Sequence, residues 1–166
     1  MNKRIPLSAA SIVPLLAGSC AGDPAVSVPE NARPNIIFIF SDDLGIGDLS
    51  CYGATRVATP HIDRLAAQGQ RFSNAYATSA TSTPSRFGLL TGMYPWRLPN
   101  TQIAPGNSEL IIDPECHTLA DAMHDAGYVT GAVGKWHLGL GPVGGTDFNV
   151  EIRPDARDIG FDYEYL

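Results

Sequence analysis

The chain has 166 residues, enough for one domain with a hydrophobic core, and 44% of them are hydrophobic against 17% charged. That balance excludes a disordered chain, and a formal charge of −6 without a Lys/Arg stripe excludes a nucleic acid as partner. An anionic small molecule held by a few focused cations stays open.

Lys3 and Arg4, followed by the apolar run from Ile5 to Ala17, read as an export signal, too short to span a bilayer as a mature helix. Ala17, Gly18 and Ser19 ahead of Cys20 are similar to a lipoprotein cleavage box, although Leu16 lies four rather than three residues before the cysteine. Pro6 and Pro14 also interrupt the apolar run. Two outcomes stand: a lipid on Cys20 that anchors the protein to a membrane, or ordinary cleavage near Ala21. Either way the expected location is the periplasm or the cell surface. Residues 21–33, with Pro24 and Pro29, read as a tether. The expected division is a signal over 1–20, the tether over 21–33 and a folded domain over 34–166. Cys51 and Cys116 do not have zinc-site spacing, and are either two thiols or one bridge.

The continuous apolar run Asn35–Phe40 predicts a central strand buried on both faces. Polar, glycine-bearing Ser41–Gly45 then takes the chain out of the sheet. Thr59-Pro60 predicts an N-cap and first helical residue; Ile62, Leu65 and Ala66 follow at helical spacing, and Gly69 is the stop. Phe72–Tyr76 reads as a short strand. A second helix is expected from Thr83-Pro84 toward Leu90, stopped by Gly92, and a third carries Leu119, Ala122, Met123 and Ala126 as far as Gly127. Tyr128–Val133 reads as a strand running into Gly134–His137, while the final Gly160–Leu166 shows no closing element. Alternating strands and helices predict an α/β layered domain with a largely parallel sheet.

Three constellations carry chemistry. Asp42 and Asp43 stand where a strand's carboxyl end turns, the one place where neighbouring side chains can converge and where open α/β sheets bind ligands. Two hard carboxylates suit calcium or magnesium; a solvated turn or helix cap is the plainer reading of an Asp pair. Ser82-Thr83-Pro84-Ser85-Arg86 opens a helix whose N-terminus stabilises an anion, with Arg86 one turn on and able to reach back. By itself the same string is only a cap before a proline. In Gly134–Gly139 an extended backbone makes Lys135 and His137 face the same way, a cation and a proton donor for an anionic substrate. The alternative there is a glycine-flanked surface loop.

Taken together, RPNIIFIFSDDLGIGDLSCYG from Arg33, TPHIDRLAAQG from Thr59, SATSTPSRFGLLTGMYP from Ser79, AGYVTGAVGKWHLG from Ala126 and GFD from Gly160 resemble the type I sulfatases. The resemblance implies an alkaline-phosphatase-like α/β fold and hydrolysis of a sulfuric ester on a sugar, steroid or aryl group. It assigns Asp42 and Asp43 to calcium, and Ser82 to the residue oxidised to formylglycine, which also faces the metal. Arg86 matches the arginine that stabilises that residue, and Lys135 and His137 match contacts to the sulfate. Serine in place of cysteine at 82 resembles the bacterial members matured by a radical-SAM enzyme. His61 stands where Asn is commoner.

The resemblance also explains why plain serine would not suffice: a serine sulfate ester has no easy route of release, whereas hydrated formylglycine carries a second hydroxyl whose proton can leave. Calcium takes roughly six to eight oxygens, and the family's remaining ligands and a second lysine come later than residue 166. The expectation is therefore an N-terminal portion of the catalytic domain, inactive as residues 1–166 alone. A phosphodiesterase or phosphonate hydrolase of the same superfamily is the near alternative, and a non-catalytic, truncated glycan-binding lipoprotein the distant one.

Overall fold

The computed structural model describes residues 33–166. The expected signal and the tether up to residue 32, Cys20 included, lie outside the described residues. The chain divides into two units, one ending at Phe40 and one running from Ser41 to Leu166. In the first, Asn35–Phe40 carries no strand, against expectation, and its apolar side chains are exposed, Ile37 by 85%. An apolar run becomes a strand only where neighbours take its backbone N–H and C=O groups, and among the described residues no ladder reaches it.

In chain order the second unit holds 3-10 turns at Ile46–Asp48 and Ser50–Tyr52, α1 (Pro60–Gln68), α2 (Ser82–Thr91), a third 3-10 turn at Pro95–Arg97, α3 (Leu119–Asp125), β1 (Gly131–Val133), a fourth 3-10 turn at Ala156–Ile159 and β2 (Tyr163–Tyr165). Helix α1 starts as expected, with Thr59 at the N-cap and Pro60 at the first position, where its missing N–H removes no helical bond. Asp63 in its first turn accepts from the Ser50 hydroxyl at 2.6 Å, the Cys51 N–H at 2.8 Å and the Thr59 hydroxyl at 3.0 Å. One carboxylate thus pins the Ser50–Tyr52 turn to the start of α1. Phe72–Tyr76 is not a strand; the Phe72 carbonyl accepts from the Tyr52 hydroxyl at 2.8 Å instead of entering a ladder.

Helix α2 starts one residue earlier than expected, with Thr81 at the N-cap position and Ser82 as its first residue. Pro84 is then the third helical residue, still within the opening turn whose N–H groups have no partner, so the proline is tolerated there. Gly92 closes the helix in the left-handed region at φ 67, and α3 opens on a capping box in which Thr118 and Asp121 bond each other's backbone N–H.

Strand β1 is shorter than the expected Tyr128–Val133 and pairs in parallel with β2, Gly131 opposite Tyr163 and Val133 opposite Tyr165. The final segment therefore does close a sheet. Its register is set just ahead of the ladder, where the Thr130 N–H donates to the Asp162 carboxylate at 2.8 Å and the Asp162 N–H donates to the Thr130 carbonyl at 3.1 Å. Apolar periodicity cannot reveal such a latch, because a strand that alternates with exposed tyrosines reads as loop.

Phe87 of α2 packs with Ile112, Leu138 and Ile159 in the core, and Leu90, Trp136 and Phe161 pack against them. Each of the four fully buried side chains is worth about 1.5–3 kcal/mol. Beside this core two segments run backbone to backbone: Leu110 N–H to Gly141 C=O at 3.1 Å, Ile111 N–H to Leu138 C=O at 2.9 Å and Leu140 N–H to Ser108 C=O at 2.9 Å. Gly139 makes this approach possible, since a Cβ there would stand 1.7 Å from the Glu109 carbonyl oxygen. Cys51 and Cys116 are free, partly buried thiols, and burial pushes the Cys116 thiol up.

The Ser50 hydroxyl, with Thr59 and the Cys51 N–H behind it, holds the Asp63 carboxyl below the usual carboxylate range against the opposing effect of burial. Its contribution to stability is complete above about pH 4 and is lost as pH falls through the lower, folded value. Thermal unfolding followed from pH 6 down to pH 2 should therefore show a shallower acid decline in Asp63→Asn than in the parent, from a lower starting Tm.

Candidate active site

Trp136 and Leu138 pack on the core, and the intervening His137 side chain reaches the start of α2. Trp136 packs edge-on against Phe161 at 6.3 Å and donates its indole N–H to the Gly139 carbonyl at 2.8 Å. The backbone is not extended here as expected: His137 has φ 55, and the Lys135 and His137 side chains reach different partners. His137 Nδ1 lies 2.9 Å from Ser82 Oγ, while Lys135 Nζ contacts Asp42.

Ser82 Oγ is the hub. Arg86, four residues on along α2, donates its Nε–H to that oxygen at 3.0 Å. The other ring nitrogen of His137, Nε2, lies 3.1 Å from the Ala104 carbonyl, which can only accept, so Nε2 carries a proton. In the neutral imidazole Nδ1 is then the acceptor, and the Ser82 hydroxyl donates to it while accepting from Arg86. The residue-82 oxygen thus faces a proton acceptor and a guanidinium at the positive end of a helix.

Arg86 extends the network with its Nη1 donating to the Lys135 carbonyl at 2.5 Å and its Nη2 3.6 Å from the Asp42 carboxylate. The Lys135 ammonium beside Asp42 holds its carboxyl below the usual carboxylate range, Arg86 and His137 adding to the effect against burial. Asp42, Ser82, Arg86, Lys135 and His137 therefore form one connected group drawn from three separate parts of the chain. At Asp43, φ is 54, so the chain does turn at the Asp pair; no described contact joins the Asp43 side chain to the group.

Asp42, Asp43 and the residue-82 oxygen are all hard oxygen donors, the kind calcium takes, but they are three where calcium takes roughly six to eight. Among the described residues no group of three or more His, Cys, Asp or Glu stands placed to hold a metal ion. By kind these residues fit a calcium ion, and by number they fall short of its usual shell.

Two residues of this network carry no chemical signature in the sequence. Thr83, read only as a possible cap, is fully buried; its hydroxyl donates to the His137 carbonyl at 2.8 Å and accepts from the Ala104 N–H at 3.1 Å. Ala104 acts wholly through its backbone, N–H to Thr83 and C=O to His137, so no side-chain motif could mark it. A signal for the anchoring was present in Lys135-Trp136-His137-Leu138, where polar and apolar residues alternate.

Thr83→Val should cost about 1–3 kcal/mol in urea unfolding, because it leaves the Ala104 N–H and the His137 carbonyl without their partner in a buried place. Thr83→Ser, which keeps the hydroxyl, should recover most of that loss.

The family model described as Sulfatase matches residues 34–162. Over 134 residues the chain is 77% identical to an N-acetylgalactosamine-6-O-sulfatase of Bacteroides thetaiotaomicron, covering 81% of this chain and 26% of that protein. It is 46% identical over 114 residues to arylsulfatase A of Homo sapiens, covering 67% of this chain and 22% of that one. A solved structure from Bacteroides thetaiotaomicron, described under the metabolism of multiple glycosaminoglycans, superposes with a TM-score of 0.78 at 78% identity, over 80% of this chain and 28% of that chain. The chain thus spans about a quarter of the length of these relatives. With these likenesses and the constellation around Ser82, the chain belongs to the sulfatase family and carries part of its alkaline-phosphatase-like α/β fold.

Proposed function

We propose that this chain is the N-terminal portion, over residues 34–166, of the catalytic domain of a sulfuric ester hydrolase that releases sulfate from a sulfated sugar. The observation that carries the reading is the hub at Ser82, where Arg86 Nε at 3.0 Å and His137 Nδ1 at 2.9 Å converge on one oxygen at a helix N-terminus. The similarity to an N-acetylgalactosamine-6-O-sulfatase favours a sulfated N-acetylgalactosamine over an aryl or steroid ester, and over the phosphodiester or phosphonate alternative.

Formylglycine at position 82 would supply a hydrated aldehyde with two hydroxyls, and calcium, for which Asp42, Asp43 and residue 82 would be ligands, would supply Lewis acidity. The chain's own side chains do the rest. Arg86 holds the residue-82 oxygen and offsets charge on the sulfuryl oxygens, joined in this by Lys135. His137 stands ready at Nδ1 to take or return a proton, oriented by the Ala104 carbonyl at Nε2. Net hydrolysis adds one water across the ester: the S–O bond to the sugar breaks, the sugar oxygen takes one hydrogen of the water, and the water oxygen leaves on sulfur as the sulfate dianion with release of one proton. The mature protein on this reading is exported, held at the periplasmic or cell surface by a lipid on Cys20, and matured by a serine-type radical-SAM enzyme.

Mass analysis of the residue-82 peptide, from full-length protein produced with such a maturase, should show a loss of two hydrogens and reaction with aldehyde reagents. An active enzyme with unmodified Ser82 would overturn the reading. In the same matured protein His137→Ala should lower kcat/KM by about 10²–10⁴, and Lys135→Ala should lower it as well.

A further inference from the structure

Next to the Ser82 hub lies an open cleft of about 470 Å³, within the roughly 300–1,000 Å³ typical of small-molecule sites. Asn100, Gln102, Ala104, Asn107, Ser108 and Glu109 are among the residues that line it. Ala104 belongs to both places: it borders the cleft and its carbonyl lies 3.1 Å from His137 Nε2. The cleft and the imidazole that faces residue 82 therefore share Ala104 as a common neighbour.

The cleft wall is fixed to the active-site segment. Residues 108–111 bond backbone to backbone with 138–141, and the Asn107 carbonyl accepts from the Thr146 N–H at 3.1 Å. The Glu109 carboxylate accepts from the Gly144 N–H at 2.9 Å, and the Thr146 hydroxyl donates to the Ser108 carbonyl at 3.1 Å. At Asn100 the backbone is left-handed, φ 66, a conformation Asn tolerates better than most residues. These bonds employ the Asn107 and Ser108 backbone and leave the wall preformed.

Its lining is mixed, with Ile103, Pro105 and Ile111 beside the polar groups. Three carboxamides and a hydroxyl offer paired donors and acceptors, no Lys, Arg or His lines the cleft, and its one charged group is the Glu109 carboxylate. A second sulfate or a uronate would meet a like charge and no cation. From this we infer that the cleft is a subsite for the uncharged hydroxyl and acetamido groups of the sugar that carries the ester, with Gln102 and Asn107 as its specificity-determining side chains. The inference rests on the proposed sulfated-sugar hydrolase and adds to it the part of the substrate that carries no sulfate.

The test uses the full-length, matured protein and its Gln102→Ala and Asn107→Ala variants, with N-acetylgalactosamine 6-sulfate as substrate. Free N-acetylgalactosamine and inorganic sulfate serve as separate competitive inhibitors. Expected are a rise in KM of about fivefold or more in each variant and an equal weakening of inhibition by the free sugar, while inhibition by inorganic sulfate holds within about twofold. Hydrolysis with unchanged KM in both variants overturns the subsite alone. So does a parallel rise in the sulfate inhibition constant, which would mean a disturbed active site or an anion-binding cleft. Failure of the parent to hydrolyse the sulfated sugar overturns the underlying reading and the subsite with it.

Discussion

The Thr83 hydroxyl stands at the crossing of three segments that are far apart along the chain. It belongs to the first turn of α2, takes the N–H of Ala104 and gives its proton to the carbonyl of His137. Because it is wholly buried, neither bond can be exchanged for water without leaving a polar group stranded. The bond to its carbonyl holds the His137 backbone beside Ser82, which is one residue from Thr83 along α2. Ala104 then returns the favour at the side-chain level, its carbonyl turning the ring so that Nδ1 faces the residue-82 oxygen.

Around that point charge is arranged by distance from the hub. The guanidinium of Arg86 spans it, with Nε on Ser82, Nη1 on the Lys135 carbonyl and Nη2 toward Asp42. A fork of fixed geometry serves three directions at once, which a lysine ammonium could not do while also keeping the planar alignment. Lys135 shares Asp42 with it, so the carboxylate is held ionised between two cations at the lip of the site. The result is a hydroxyl that meets one guanidinium and one imidazole directly, with a second cation held on the neighbouring carboxylate.

The core explains why the loop carrying Lys135 and His137 is not loose. Trp136 and Leu138 anchor it against Phe161, Phe87 and Ile159, and Gly139 lets the next strand of backbone come within bonding range of residues 108–111. Helix α2 contributes Phe87 to the same core while Ser82 and Arg86 bond each other and the site. One helix therefore serves packing and chemistry together, and the wall of the neighbouring cleft is fixed by the same bonds.

Much of this was legible in the residues. Caps and stops at Thr59-Pro60, Gly69, Gly92 and Gly127 are local chemistry, set by backbone N–H groups and allowed φ values within a few residues, so the helices could be read directly. Asp42, Ser82, Arg86, Lys135 and His137, which the structure brings together, stand in motifs that could be singled out, as does Asp43, which no described contact joins to them. What the sequence could not show is long-range pairing. Asn35–Phe40 has the composition of a buried strand yet joins no ladder among the described residues, and Tyr163–Tyr165 has the look of a loop yet pairs with Gly131–Val133. A strand exists only through its neighbour, and that neighbour lies tens of residues away. By itself the sequence determined which groups are available and where helices begin and end. Only the tertiary structure decided that Thr83 and the Ala104 backbone hold His137 to Ser82, because a hydrogen bond across 21 or 54 residues depends on where the chain returns in space.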